Sequence, residues 1–232
     1  MVLYTLADPH LSLGADKPMD IFNGWEGYQE KLRENWQAIV RPEDTVVVAG
    51  DISWAMTLEE AEKDFAFLNS LNGTKILLKG NHDLWFSTKS KADRFLAEHG
   101  FDTIRFLFNN YYPFGDYGIC GTRGWMNDPD EPHDKKVILR EAGRLERSLE
   151  AAKQDGKIPI VFLHYPPLSL KSDCEEILEV LRRYGVERVY YGHLHGSAHQ
   201  YAVTGHYEGV DYHLVSCDFT KFSPVKVEEM NN

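Results

Sequence analysis

Cysteine and long apolar runs are both scarce in this sequence. Only three cysteines, Cys120, Cys174 and Cys217, occur among 232 residues. Because they form no CxxC pair, they predict reduced thiols rather than a disulfide scaffold or a cysteine-zinc site. No apolar run is long enough to cross a bilayer, and Asp8 interrupts the amino-terminal apolar stretch that a secretory signal would need. These absences predict a cytoplasmic protein that does not enter membranes.

Positive charge is also in short supply. The chain has 25 Lys and Arg against 36 Asp and Glu, which gives a formal net charge of -11. Bulk attraction to nucleic acid or to an anionic membrane is therefore not expected. A small anionic substrate remains compatible with this charge, because bound metal ions can reverse its sign locally. Since no Pro/Gly/Ser-rich linker divides the sequence, residues 1–232 are predicted to form a single domain.

What the sequence does contain is an alternation of strand-like and helix-like segments. Short apolar runs predict strands at residues 2–7, 45–49, 75–79, 158–163 and 186–191. Amphipathic stretches between them predict helices at residues 26–40, 57–72, 87–99, 134–154 and 172–184. Residues 111–121 and 198–227 read as β structure, the latter as antiparallel. This order predicts an α/β protein in which a pair of sheets packs between helices.

Side chains of the kind that bind metals follow several of these strands. They occur in five short motifs: Asp8-Pro9-His10, Gly50-Asp51, Gly80-Asn81-His82-Asp83, His164 and Gly192-His193-Leu194-His195. The carboxyl ends of strands in α/β sheets converge on one crevice, so these side chains are expected to meet. A set of imidazole, carboxylate and amide groups without thiolate suits Mn, Fe or Zn. Seven such ligands are too many for one ion with an open position, whereas two ions that share a carboxylate would use them.

In their order, these motifs resemble the signature of the calcineurin-like metallophosphoesterases. The resemblance spans Asp8 to His195 and implies a four-layer αββα sandwich with two mixed sheets flanked by helices. It also implies a role for each residue. The first metal would be held by Asp8, His10 and His195, and the second by Asn81, His164 and His193. Asp51 would bridge the two metals, His82 would act on the leaving oxygen, and Asp83 would orient His82.

The reaction implied by the resemblance is hydrolysis of a phosphomonoester or a phosphodiester. Two ions roughly 3.5–4 Å apart can share a hydroxide, because coordination lowers the pKa of water to about 7. Phosphate oxygens bind the same ions, which neutralises charge and places phosphorus in line for attack. A protonated imidazole such as that of His82 could donate to the departing oxygen. The expected partner is a small phosphorylated substrate.

Other features leave alternatives open. Gly50-Asp51 is followed by Ile52 and Ser53, whereas protein serine/threonine phosphatases of this family continue with Asp and Arg, so a strict protein phosphatase is not expected. Arg123 is predicted either to bind the substrate phosphate or to be a surface arginine in a turn. The tryptophans Trp54, Trp85 and Trp125 either line an apolar substrate wall or cover the core, and the loops at 16–25 and 128–134 are either lids or solvated loops.

Two rival functions are weaker. A catalytically silent module that kept this fold for protein interaction should have lost metal ligands, yet all seven are present together with His82. Two-metal hydrolases of amides or lactones generally use a different order of ligands. The choice between monoester and diester is open at this stage.

Overall fold

The computed structural model describes residues 1–126 and 135–230. The predicted loop at 128–134, with His133 and the first residue of the predicted helix at 134, lies outside these ranges. The elements along the described chain are β1 (Val2–Leu6), α1 (Tyr28–Ile39), β2 (Thr45–Ala49), α2 (Glu62–Ser70), β3 (Thr74–Leu78), α3 (Lys89–Glu98), β4 (Ile104–Phe106), β5 (Tyr112–Phe114), β6 (Tyr117–Thr122), α4 (Lys135–Gln154), β7 (Ile158–Leu163), α5 (Glu175–Arg183), β8 (Arg188–Tyr191), a 3-10 helix (Gly196–Tyr201), β9 (Gly205–Tyr207), β10 (Val210–Leu214) and β11 (Val225–Glu229).

The strands form two mixed sheets. One has the order β11-β1-β2-β3-β4, in which β1 to β4 are parallel and β11 is antiparallel to β1. The other has the order β5-β6-β7-β8-β10-β9, with β6, β7, β8 and β10 parallel and the two edge strands antiparallel. Parallel strands need long crossovers, which the helices supply.

Three apolar cores separate four layers. On β2, Val46 and Val48 face a core that includes Trp36 of α1. Val47, on the opposite face of the same strand, packs in a core shared with Phe162 of β7, as the two-residue period of a strand requires. A third core joins the second sheet to α4 and α5. The two inner sheets and the outer helices form the expected αββα sandwich, which confirms the predicted fold class.

Some element boundaries differ from the predictions. The Thr57 and Glu60 capping box forms within a turn, with Glu60 accepting from the Met56 amide at 2.8 Å, and α2 begins only at Glu62. The helix predicted at 172–184 begins later, because Ser172 lies in a turn in which its amide donates to Ser169 Oγ at 3.1 Å, and α5 begins at Glu175. The predicted antiparallel tail divides between the sheets: β10 pairs parallel with β8, and β11 crosses to β1.

The three cysteines are buried and free, which confirms the prediction of unpaired thiols. Burial raises the pKa of Cys120 to about 12 and that of Cys174 to about 11. These thiols therefore stay protonated at neutral pH and act as small core residues. Within residues 1–126 and 135–230, none of the helices combines the length and the apolar character needed to span a bilayer.

Candidate metal centre

The predicted metal-type residues meet at the carboxyl ends of five parallel strands. The loops after β1 and β2 are tied together by backbone bonds, Asp8 N to Gly50 O at 3.0 Å and His10 N to Asp51 O at 3.0 Å. In the second sheet, the Gly192 amide donates to the His164 carbonyl at 3.1 Å. Each ligand loop is thereby fixed to its neighbour, and side chains far apart in sequence face one crevice.

Glycines in the motifs allow this close approach. A Cβ atom at Gly192 would lie 2.5 Å from Asp8 Oδ2, and one at Gly50 would lie 2.6 Å from His164 Nδ1. A Cβ atom at Gly80 would collide with the Asp51 carboxylate. The glycines that precede the metal-type residues therefore make room for the ligands of neighbouring loops.

Several of the same residues have left-handed backbone conformations, which side chains rarely adopt. The φ angles are 59° at Asp8, 45° at His10, 49° at Asp51 and 73° at His193. Each such residue costs on the order of 1 kcal/mol or more, and these costs are found where function needs a side chain aimed in a particular direction. Four of the eight described non-glycine residues with positive φ are thus metal-type residues of the crevice.

Asp8, His10 and His195 form one cluster, which we call the first triad. One ligand atom from each lies within 4.8 Å of the others. His10 Nε2 is 3.2 Å from His195 Nε2, and His195 Nε2 is 3.9 Å from Asp8 Oδ2. These three residues are the ones expected to hold the first metal, and the structure brings them together.

The second triad consists of Asn81, His164 and His193. Asn81 Oδ1 lies 2.6 Å from His164 Nε2 and 3.1 Å from His193 Nδ1. Asp51 lies between the triads, since its Oδ2 is 3.5 Å from His164 Nε2 and 3.8 Å from His10 Nε2. A ligand group of Asp8, Asp51 and His164 links the two halves of the centre.

The centre has a mixed electrostatic character. Burial lowers the pKa of His10 to about 4 and that of His193 to about 3, so both imidazoles are neutral at pH 7. Burial acts in the same direction on His164, but the carboxylates of Asp51 and Asp8 outweigh it and raise the pKa of His164 to about 9. Although burial opposes it, the neighbouring imidazoles hold the pKa of Asp8 well below its usual value.

These groups fit a bound cation. Asp8 Oδ1 is buried without a hydrogen bond of good geometry in the described structure, and His164 Nδ1 lies 3.3 Å away. A buried carboxylate oxygen without a donor is costly unless a cation offsets its charge. The imidazole, carboxylate and amide donors are those expected for Mn, Fe or Zn.

Asp218 belongs to the centre but was not predicted from the sequence. Its Oδ1 accepts from His195 Nδ1 at 2.9 Å, and its Oδ2 accepts from the Gly196 amide at 2.9 Å. This contact leaves His195 Nε2 directed towards the first triad. Asp218 follows β10 just as the other carboxylates follow their strands. The prediction of antiparallel β structure for residues 198–227 concealed this similarity.

His82 lies beside the two triads. Its Nε2 is 4.0 Å from Asp51 Oδ2, and its ring packs on Trp54 with centroids 4.3 Å apart. Trp54 in turn stacks on His10 at 4.9 Å. A cavity of about 460 Å³ opens next to His82 and Trp54, and Met56 and Leu84 also line it. Trp54 thus lines a cavity beside the centre, as the substrate-wall alternative predicted for this tryptophan.

Asp83 does not make the predicted contact. Its carboxylate accepts from the amides of Gly80, Ile52 and Ser53 at 2.8 to 3.1 Å, and from Trp85 Nε1 at 3.0 Å. Among the described contacts, none joins Asp83 to the His82 ring. Burial and the charge of Asp51 raise the pKa of Asp83 to about 7. The residue ties the loop after β3 to the loop after β2, and Trp85 is part of the core.

Arg123 lies at the end of β6. Its Nη2 is 3.5 Å from Glu141 Oε1, and its guanidinium packs over the Trp125 ring at 4.9 Å. The Arg123 carbonyl accepts from the His164 amide at 3.1 Å. The backbone of Arg123 therefore adjoins His164, while its side chain lines a separate pocket, and its proposed contact with substrate is considered below.

Two mixed sheets between helices, with imidazole, carboxylate and amide groups gathered at one edge, define an α/β sandwich with a candidate metal centre. The profile of the calcineurin-like phosphoesterase family matches residues 1–197, and the chain belongs to that family. The match includes both triads, Asp51 and His82. No curated protein shows significant sequence similarity to the chain.

Several solved structures share the fold. A protein of unknown function, AQ665 from Aquifex aeolicus, is 17% identical with a TM-score of 0.51, over 97% of this chain and 95% of its own. Phosphopantetheinyl hydrolase PptH from Mycobacterium tuberculosis is 16% identical with a TM-score of 0.55, over 99% and 96%. TT1561 of Thermus thermophilus is 13% identical with a TM-score of 0.59, over 98% and 99%. At these identities the likeness supports the fold alone.

Proposed function

We propose that the protein hydrolyses a phosphomonoester or phosphodiester of a small molecule with the help of two divalent metal ions. The observation that carries this proposal is the position of Asp51. Its Oδ2 lies 3.5 Å from His164 Nε2 of the second triad and 3.8 Å from His10 Nε2 of the first. One carboxylate between two ligand sets is the arrangement that a two-metal hydrolase requires.

In this proposal, the first triad holds one ion, the second triad holds the other, and Asp51 contacts both. When bound, such ions lower the pKa of water and offset the charge of the phosphoryl group. The chain supplies the geometry. The Gly50, Gly80 and Gly192 positions let the ligand loops approach each other, and Asp218 fixes which nitrogen of His195 faces the first triad.

His82 is the proposed proton donor to the leaving oxygen. It stands beside Asp51 without belonging to either triad, and its side chain is 43% exposed, so substrate can reach Nε2. Burial lowers the pKa of His82, which makes its protonated form a stronger acid. Trp54 packs on both His82 and His10, whose rings also contact each other with centroids 5.7 Å apart.

The cavity next to His82 is the proposed site for the organic part of the substrate. It is lined by apolar Met56 and Leu84, by the Trp54 ring and by Lys17, whose Nζ lies 4.6 Å from that ring. Such a mixed wall suits a small molecule with an apolar portion. Ile52 and Ser53 in place of an Asp-Arg pair argue against a phosphoprotein substrate.

The test begins with removal of metal by a chelator. Mn, Fe and Zn are then restored in turn, with bound metal measured for each, and activity is assayed on p-nitrophenyl phosphate and bis-p-nitrophenyl phosphate. At least one ion is expected to restore hydrolysis with about two equivalents bound, and the better substrate decides between monoester and diester.

Asp51→Asn should lose this activity, whereas Asp93→Asn serves as a matched control, because Asp93 is exposed and pairs only with Lys89 among the described contacts. Hydrolysis by Asp51→Asn at the rate of the unaltered protein would refute the proposed centre. If no ion restores activity and a partner protein is bound instead, the silent interaction module becomes the better explanation.

A further inference from the structure

A small basic pocket adjoins the metal centre and is not used by the proposed chemistry. It has a volume of about 160 Å³ and lies where the ends of β3 and β6 meet α4. Three basic side chains line it, Lys79, Arg123 and Arg144, together with one carboxylate, Glu141. A cavity of about 150 Å³ can hold a benzene molecule, so this pocket has room for a phosphate or carboxylate group.

Glu141 does not balance the charge of the pocket. It accepts from Thr122 Oγ1 at 2.6 Å and lies 3.5 Å from Arg123 Nη2 and 3.4 Å from Arg144 Nε. The Lys79 ammonium donates to the Phe86 carbonyl at 3.2 Å rather than to a carboxylate. Among the residues that the structure describes, three cations therefore share one carboxylate in a half-buried space, where their mutual repulsion is poorly screened.

An unsatisfied hydrogen-bond donor also indicates that the pocket lacks an anion. Arg123 Nε is buried and has no hydrogen-bond partner in the described structure. A buried N–H of a charged group is costly when left unpaired. Among the described contacts, the Lys79 ammonium meets the Phe86 carbonyl and no carboxylate within ion-pair distance. An oxyanion in the pocket would satisfy both groups.

The pocket adjoins the loops that carry the second triad. Lys79 precedes Asn81 by two residues, so their Cα atoms are at most about 7 Å apart. On the other side, the Arg123 carbonyl accepts from the His164 amide at 3.1 Å. Asn81 and His164 both belong to the second triad, and the pocket therefore flanks that half of the centre.

We propose that this pocket binds a second anionic group of the substrate, a phosphate or a carboxylate, while the scissile phosphate lies at the triads. The inference rests on the proposed function and narrows its substrate class to small molecules with two anionic groups. Lys79, Arg123 and Arg144 are the specificity-determining residues. They act through charge-assisted hydrogen bonds to the second group.

The first experiment measures anion binding without catalysis. Inorganic phosphate is titrated calorimetrically into the metal-free protein, in which no bound metal ion competes for the anion. Lys79→Gln and Arg144→Gln are each expected to weaken phosphate binding about tenfold. Arg140→Gln is the matched control, because Arg140 is an exposed residue of the same helix as Arg144. Equal binding by all the variants would overturn the proposal.

The second experiment uses the metal-loaded enzyme. Bisphosphates of straight-chain diols of increasing length are compared with the matching alkyl monophosphates. At the best length the bisphosphate should have a KM at least tenfold lower, and Lys79→Gln or Arg144→Gln should reduce this advantage to near unity. Melting temperatures within a few degrees of the unaltered protein identify variants that are folded.

The two experiments separate the possible failures. Phosphate binding that depends on Arg144, together with no preference for any bisphosphate, would overturn the proposal in favour of a site for free anions. Turnover of neither series, together with no hydrolysis of p-nitrophenyl phosphate or bis-p-nitrophenyl phosphate, would refute the proposed phosphoesterase activity and the substrate class with it. In that case phosphate binding that depends on Arg144 would still support an anion pocket, so failure of the function is distinguished from failure of the site.

Discussion

The two triads differ in how the protein holds them. His164 of the second triad is fully buried, and its Nδ1 faces the Ala49 carbonyl and Asp8, both at 3.3 Å. His195 of the first triad is 30% exposed and is held by the Asp218 carboxylate. His164 is thus enclosed by β-strand ends, whereas the position of His195 depends on one loop residue.

This difference indicates which half of the centre can be substituted with only a local effect. The buried imidazole of His164 touches Asp8 and Asp51, so it cannot be moved without disturbing both carboxylates. These carboxylates also contact His10 and His195 of the first triad. His195 is 30% exposed and its closest carboxylate, Asp218, lies outside both triads, so a change at His195 should have a more local effect. We therefore expect a change in the second triad to weaken the binding of both ions. A change in the first triad should mainly make one ion easier to exchange.

The largest effect is expected from His164→Gln. Because His164 contacts both carboxylates, this variant should lose both ions and about a thousandfold or more in kcat, the loss that several kcal/mol of metal assistance implies. His195→Gln should lose one ion and keep the other. Metal content by mass spectrometry, measured together with phosphoesterase activity, checks both. Two ions retained by His164→Gln, or none retained by His195→Gln, would contradict the expected difference between the two triads.

Asp218→Asn should have a smaller effect, confined to the first triad. Loss of a carboxylate behind a metal-binding histidine typically weakens metal affinity about 10–100-fold. The chain offers a matched control in Asp211→Asn, because Asp211 pairs with His206 at 2.8 Å in the same geometry but at an exposed position. Competition with a chelator gives the affinity of each ion in turn. A comparable loss in both variants, or a loss at both ions in Asp218→Asn, would count against the positioning role.

Much of this site was accessible from the sequence, for a physical reason. Asp8, Asp51 and Asn81 each follow a short apolar run, and buried parallel strands are recognisable from such runs alone. Their glycine neighbours carried a further signal, since Gly80 leaves space for the Asp51 carboxylate. The αββα layers followed from the same alternation of segments. The single-domain boundary and the cytoplasmic location remain predictions.

What the sequence concealed depends on contacts between distant segments. Asp83 bonds to the amides of Ile52 and Ser53 in another loop, so its adjacency to His82 in the chain was misleading. Asp218 lies beyond a strand whose pairing is parallel to β8, and alternation of apolar residues does not distinguish parallel from antiparallel pairing in a half-buried strand.

A still smaller effect is expected from pH, through the proton on His164. Its pKa of about 9 lies above the ordinary value, so at pH 7–8 the metal-free protein holds a proton there that an ion must displace. His10 and His193, with pKa values of about 4 and 3, are already neutral. Metal affinity should therefore rise about tenfold per pH unit from this group below pH 9. Calorimetry in buffers of different ionisation heat should detect proton release, and an affinity independent of pH would contradict the assignment.

The smallest effect on the centre is expected at the other end of β3. Lys75 is fully buried there, and its Nζ donates to the Leu71 carbonyl at 2.6 Å and the Gly73 carbonyl at 2.7 Å, while burial lowers its pKa to about 8. Lys75→Met leaves both carbonyls without this donor and should lower the free energy of unfolding by about 1–3 kcal/mol. Because the ligand loops lie beyond the opposite end of the strand, metal content and kcat should not change. Urea denaturation and metal analysis of the same preparation test both statements, and a loss of bound metal in the folded variant would show that the two ends of the strand are coupled.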